Sequence, residues 1–199
     1  MSDIPFSHET TVIENGVLRV VAAPLGAELI SIQKITSTGK PVDILWNGNA
    51  KHWKGRAPIL FPIVGCVKNG VYRHHGKIYN IEIPHGFLQS VRLIGDGKAG
   101  SRRMAFIFES NDTTLRQYPF PFRFGVEYSL HENTLRIVFD IVNTGTDTML
   151  FSLGFHPGFY VPLDSSERFD DCSLRFEAEE TPLRPVGLRG GKRGARRDH

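Results

Sequence analysis

Apolar residues recur at every second position through much of this chain, a period that builds extended strands rather than helices. In Phe124-Gly-Val-Glu-Tyr-Ser-Leu130, the side chains of Phe124, Val126, Tyr128 and Leu130 fall on one side. After the polar turn His131-Glu-Asn-Thr134 the pattern returns in Leu135, Ile137, Phe139 and Ile141, which predicts an antiparallel hairpin with one buried face. Met104, Phe106 and Phe108 mark another strand.

Turn chemistry falls where such strands should end. Asn15-Gly16 and Asn69-Gly70 are pairs that tolerate positive φ, and both predict tight hairpins. His74-His-Gly-Lys77 predicts a third, between Val71-Tyr72 and Ile78-Tyr79, and Asn143-Thr-Gly-Thr146 is expected to separate two more strands. The one helical fragment is Asn111-Asp-Thr-Thr-Leu-Arg-Gln-Tyr118, which starts on polar residues and is stopped by Pro119. With 20 glycines, 12 prolines and 14 phenylalanines, the balance favours short strands. The expected fold class is all-β, a large antiparallel β-sandwich.

The net charge of +3 is unevenly placed. Arg184, Arg189, Lys192, Arg193, Arg196 and Arg197 against Asp198 give the end of the chain +5, which leaves −2 for residues 1–183. The folded part is therefore near neutral and carries no nucleic-acid footprint. Beyond Leu188 no residue is more apolar than alanine, so residues 189–199 are expected to form a disordered basic tail. That tail is the one candidate contact for nucleic acid or acidic lipid, and a solvated end without a partner is the simpler expectation. Cys66 and Cys172 form no framework, which fits reduced thiols. No basic-then-apolar leader opens the chain, and no apolar run is long enough for a transmembrane helix. A soluble cytoplasmic protein without membrane or nucleic-acid partners is expected.

Three segments break the alternation in ways that core packing does not require. They are Trp53-Lys-Gly-Arg-Ala-Pro-Ile-Leu-Phe-Pro-Ile-Val-Gly65, Pro84-His-Gly-Phe87 and Gly154-Phe-His-Pro-Gly-Phe159. The last two place an imidazole on irregular backbone at a strand end, where binding groups concentrate. Taken singly, a His-Gly or His-Pro pair is an ordinary turn, Trp46 and Trp53 are core or rim residues, and His52, His74 and His75 are solvated. No HxH or HExxH word is present, and the adjacent His74 and His75 should diverge on a strand, so no metal is expected. Hydrolase and phosphate-loop words, GxSxG and GxGxxG, are also missing.

In order along the chain, these segments resemble the aldose 1-epimerase (galactose mutarotase-like) family, and its bacterial epimerase-like branch most closely. Gly26-Ala-Glu-Leu29, Ile44-Leu-Trp-Asn47, Tyr118-Pro-Phe120, Val142-Asn-Thr-Gly145 and Gly154-Phe-His-Pro-Gly-Phe-Tyr-Val-Pro-Leu163 carry the likeness with the segments above, from about residue 10 to Leu188. The resemblance implies a supersandwich fold and interconversion of the α and β anomers of an aldose, with no cofactor. It implies that His156 is the general acid at the ring oxygen, that His85 holds the sugar, and that Arg56 is a basic residue near the pocket. A glutamate should accept the anomeric proton from the opposite side.

Two departures temper that expectation. The family word His-Gly-Phe-Ala-Arg reads His85-Gly-Phe-Leu-Gln89 here, so a planar cation gives way to a neutral amide. The family's glutamate lies in a C-terminal third, and this chain diverges after Leu188. Residues 1–188 therefore read as a sandwich domain incomplete at its C-terminal end, with a truncated or frame-altered terminus. Glu177, Glu179 and Glu180, in an expected strand and its end, are too near His156 in sequence to replace the base. An enzyme impaired for lack of the base is expected. The alternatives are a working enzyme with an unrecognised or partner-supplied carboxylate, and a non-catalytic carbohydrate-binding remnant.

Overall fold

The computed structural model describes residues 10–96, 100–163, 166 and 168–178. Its first sheet has four antiparallel strands in sequence order, β1 (Thr11–Glu14), β2 (Leu18–Ala22), β3 (Leu29–Ile35) and β4 (Pro41–Asp43). A short strand, β5 (Ile59–Leu60), follows, and then the hairpin β6 (Val71–His74) and β7 (Lys77–Asn80). The second four-stranded sheet contains β8 (Ile94–Gly95), β9 (Arg103–Glu109), β10 (Phe122–His131) and β11 (Thr134–Asn143), in the order β11-β10-β9-β8. Helix α1 (Asp112–Gln117) links β9 to β10, and β12 (Gly154–Phe155) pairs antiparallel with β5.

The period-two rows become the core. Phe124, Val126, Tyr128 and Leu130 of β10 and Met104 and Phe106 of β9 are buried in one cluster with Ile13, Val20 and Leu29 of the first sheet. Phe61 is completely buried beside Phe122 and Phe124, with ring centroids 5.1 and 5.3 Å away. The Tyr128 hydroxyl donates to the Ala27 carbonyl at 2.7 Å and ties the two sheets together. Burial pushes the Tyr128 phenol far above its ordinary range, and the charge of Glu28 adds to the shift. The architecture is an all-β sandwich, as the alternation predicts.

Local signals were used as expected in most places. The register of β10 and β11 runs from Phe122↔Asn143 to His131↔Thr134. Asn111 caps α1, accepting from the Thr113 and Thr114 N–H groups, while Thr114 reaches back to the Asn111 N–H at 2.9 Å. His75 and Gly76, at φ +46 and +76, close the β6–β7 turn.

Three expectations need correction. Asn69 and Gly70 do take positive φ, but in a 3-10 turn leading into β6 rather than in a hairpin. The Asn143–Thr146 turn ends β11 without starting another strand, because residues 148–153 run irregularly to β12. Glu177 lies in an exposed bend and not in a strand. Glu179, Glu180 and the basic tail fall outside the described residues.

The apolar row of β11 is only partly covered: Leu135, Ile137, Phe139 and Ile141 pack against the core without being buried. Leu150, Phe151, Phe159, Leu163, Phe169 and Leu174 are exposed large apolar residues in the stretch that follows. No helix among the described residues is long and apolar enough to cross a membrane. Cys66 and Cys172 are exposed and unpaired.

Candidate functional site

The strand around β5 is the spine of the site, because chain from two distant parts of the sequence bonds to its backbone. On one side, the Phe61 N–H donates to the His85 carbonyl at 3.1 Å, and the Leu88 N–H donates to the Phe61 carbonyl at 3.3 Å. On the other, the Ser152 N–H bonds Pro62, the His156 N–H bonds Pro58 at 3.1 Å and the Gly158 N–H bonds Arg56 at 2.8 Å. The same segment then continues onto Trp46 and Ile44. Prolines at 58, 62 and 157 lack the N–H needed for a long ladder, which keeps β5 and β12 at two residues each.

This arrangement brings His85 and His156 together, with ring centroids 6.2 Å apart. His85 sits at φ +67, a left-handed conformation held by two bonds to one residue. Its own N–H donates to the Gly65 carbonyl at 2.7 Å, and the Gly65 N–H donates to His85 Nδ1 at 3.0 Å. A backbone donor at Nδ1 makes that nitrogen an acceptor, so in the neutral ring the proton is assigned to Nε2. His85 is thereby set up as a hydrogen-bond donor through Nε2.

Gly86 has to be glycine. Its φ is +76, and a Cβ there would collide with the Phe61 carbonyl group. Gln89 turns back onto the same loop, donating from Nε2 to the Pro84 carbonyl at 2.8 Å. The amide that stands where the family places an arginine therefore braces the histidine loop.

His156 is exposed, and its ring packs on Trp53 at 5.0 Å. Trp53 is fixed in turn: Trp46 Nε1 donates to its carbonyl at 2.7 Å, and a Cβ on Gly158 would lie 3.0 Å from the Trp53 ring. Arg56 is adjacent in the backbone, and its guanidinium donates from Nε to the Asn47 carbonyl at 3.0 Å and from Nη1 to the Ile30 carbonyl at 3.1 Å. The structure thus joins the two histidines and gives Arg56 a bracing role in the wall beside them. An open apolar groove of about 680 Å³ lies nearby, lined by Ile44, Phe159, Tyr160 and Leu174 among others, and neither histidine lines it.

Two contributors were not singled out from the sequence. Glu28 accepts the N–H groups of Arg56 and Ala57 at 2.8 and 3.0 Å, holding the spine from beneath. Gly65 orients His85 through its backbone alone, which leaves no side-chain signature. Among the described residues, neither His85 nor His156 forms an ion pair with a carboxylate.

The expectation that His74 and His75 diverge also needs correction. The positive φ of His75 takes it out of the extended conformation in which neighbouring side chains point apart, and the two rings meet at 4.2 Å.

Comparison with known proteins identifies relatives of this chain. Residues 9–189 match the family model described as aldose 1-epimerase. Protein LacX of Lactococcus lactis subsp. lactis is 30% identical over 177 residues, covering 86% of this chain and 58% of LacX. A galactose mutarotase related enzyme from Lactobacillus acidophilus superposes with a TM-score of 0.74 at 35% identity, over 80% of this chain and 51% of that one. A galactose mutarotase-like protein from Lactobacillus casei gives 0.71 at 30% identity, over 78% and 51% of the two chains. The chain thus spans between 51% and 58% of the length of these relatives.

Proposed function

This chain belongs to the aldose 1-epimerase family, and on that premise we propose that it binds a neutral aldose at His85 and His156 and interconverts its anomers with impaired efficiency. The pairing of the two imidazoles at 6.2 Å, one of them held by Gly65, is the observation that carries the reading. His156 is the proton donor to the ring oxygen, packed on Trp53, whose apolar face suits the carbon-rich side of a sugar. His85 donates from Nε2 to a sugar oxygen. Arg56 stays in the wall, its guanidinium shared with the Asn47 and Ile30 carbonyls.

Anomer exchange needs a base to take the hydroxyl proton at C1 while the acid protonates the ring oxygen. The ring then opens to the aldehyde, C1 rotates, and the ring closes on the other face. No residue of this sequence matches the family's glutamate, and slow turnover is proposed on that ground. Gln89, occupied with the Pro84 carbonyl, offers no cation for a phosphate. A neutral substrate fits better than a sugar phosphate. The unpaired thiols of Cys66 and Cys172 fit a reducing, cytoplasmic setting.

Following fresh α-galactose and α-glucose by NMR tests both parts. We expect saturable sugar binding that His85→Asn and His156→Asn each weaken, with at most slow acceleration of anomer exchange, lost in His156→Asn. Absence of both binding and acceleration at millimolar sugar would overturn the proposal. Binding without any acceleration favours the second reading, a carbohydrate-binding protein of this fold.

A further inference from the structure

The β6–β7 hairpin ends in a cluster that the histidine pair at 85 and 156 does not use. His74 closes the strand and His75 is the first residue of the turn. Opposite them stands Asp147, whose Oδ2 lies 4.0 Å from His74 Nε2 and 3.7 Å from His75 Nε2. One donor atom from each of the three side chains fits within 4.8 Å.

The far side of the cluster is built rather than loose. Asn143 Nδ2 donates to the Asp147 carbonyl at 2.8 Å, and Asn143 Oδ1 accepts from the Gly145 N–H at 2.9 Å. The Thr144 N–H bonds the Pro121 carbonyl at 3.0 Å. On the near side, the His74 ring packs on Phe120 at 4.6 Å. His74 Nε2 is buried and has no hydrogen-bond partner. A buried imidazole nitrogen without a partner is costly, and a ligand that engages it removes that cost.

We propose that His74 Nε2, His75 Nε2 and an Asp147 carboxylate oxygen bind one divalent transition-metal ion of the zinc type. Two imidazoles and one carboxylate suit zinc, nickel or copper(II), whereas magnesium and calcium take oxygen ligands. Ligands at about 2.0 Å from a tetrahedral zinc lie about 3.3 Å from one another. The gaps of 3.7 and 4.0 Å to Asp147 close with shifts of a few tenths of an ångström, and the gap between the two imidazoles, within 4.8 Å, closes with at most about 1.5 Å of movement. His75 and Asp147, with side chains 72% and 60% exposed, have room to make them, while the 22% exposed His74 is the fixed ligand. Water completes the coordination.

The full chain, stripped with a chelator, should be titrated with zinc chloride by calorimetry and with cobalt(II) by visible absorption. One equivalent should bind in the micromolar range, with about 100-fold excess magnesium failing to compete. His75→Asn keeps a residue that tolerates the left-handed turn, and Asp147→Asn keeps the loop side chain near its size. Each should weaken binding at least about tenfold, as loss of a ligand requires, while Cys66→Ser and Cys172→Ser should leave it unchanged. No saturable binding below about 100 μM, equal affinity in either cluster variant, or a loss that follows the cysteines would overturn the site.

Discussion

Replacing Gly86 by alanine tests the seat of His85, and Gly76 supplies a matched control. Both glycines lie at φ +76. The cost of a Cβ in the left-handed region, about 1–2 kcal/mol, is therefore common to the two substitutions. Their surroundings differ. A Cβ on Gly76 meets nothing within 4 Å, whereas one on Gly86 would lie 2.6 Å from the Phe61 carbonyl carbon and 2.8 Å from Pro62 Cδ. The Phe61 carbonyl oxygen would be nearer still, and ordinary contact begins at 3.4 Å, so the two backbones must part by at least about 0.8 Å, the difference between 3.4 and 2.6. That displacement falls on the bonds from Phe61 N–H to His85 O and from Leu88 N–H to Phe61 O. Stretching or losing two such buried bonds costs about 1–3 kcal/mol each. Gly86→Ala should then be about 2–4 kcal/mol worse than Gly76→Ala, after allowing for partial relaxation. Urea unfolding followed by the fluorescence of Trp46 and Trp53 reads the difference from midpoints at a common slope. Two variants equal within about 0.5 kcal/mol would refute the close-approach argument.

Further expectations follow from the core and the helix cap. The phenols of Tyr72, Tyr118 and Tyr128 are all raised, each chiefly by burial. The unfolded chain releases these protons first as pH passes about 10, so stability should hold below that pH and decline above it. A urea midpoint that stays flat up to about pH 11 would contradict this. Tyr128→Phe should make the decline shallower. At neutral pH it should cost about 1–2 kcal/mol, because the Ala27 carbonyl loses its donor. Asn111→Ala should cost about 1 kcal/mol in thermal unfolding, with Asn111→Asp nearly neutral, since only the capping oxygen is at stake.

Elements set by neighbouring residues were legible in the sequence. The Phe124–Leu130 and Leu135–Ile141 rows declare their strands because side chains alternate whatever the rest of the chain does. Asn111 and Pro119 bracket α1 by the same local logic. Asn69-Gly70 misled because positive φ serves a 3-10 turn as well as a hairpin. The strand rule that sends neighbouring side chains apart fails at His74 and His75 because His75 already lies inside the turn. Of the site, the two histidines were legible through their glycine and proline neighbours. Glu28 beneath Arg56 and Gly65 behind His85 were not, since their partners lie 28 and 20 residues away in the sequence. The resemblance places Arg56 near the pocket, and its carbonyl partners Asn47 and Ile30 are visible only in three dimensions.

The braid of segments around β5 also sets the order of events in time. Residues 56–62 and the His85 loop are made early in synthesis, but His156 reaches its place only after β9, β10 and β11 have been added to the chain. The Tyr128 bond to Ala27 closes a loop of 101 residues, and the Asn15 bond to the Glu132 carbonyl closes one of 117. Closures of that span are slow compared with forming the β10–β11 hairpin. The histidine pair is therefore among the last features to appear. During refolding, sugar binding should lag behind the hairpin's circular-dichroism signal. Throughout that lag the half-covered row on β11 stands open to pairing with another chain, so yield should fall as protein concentration rises.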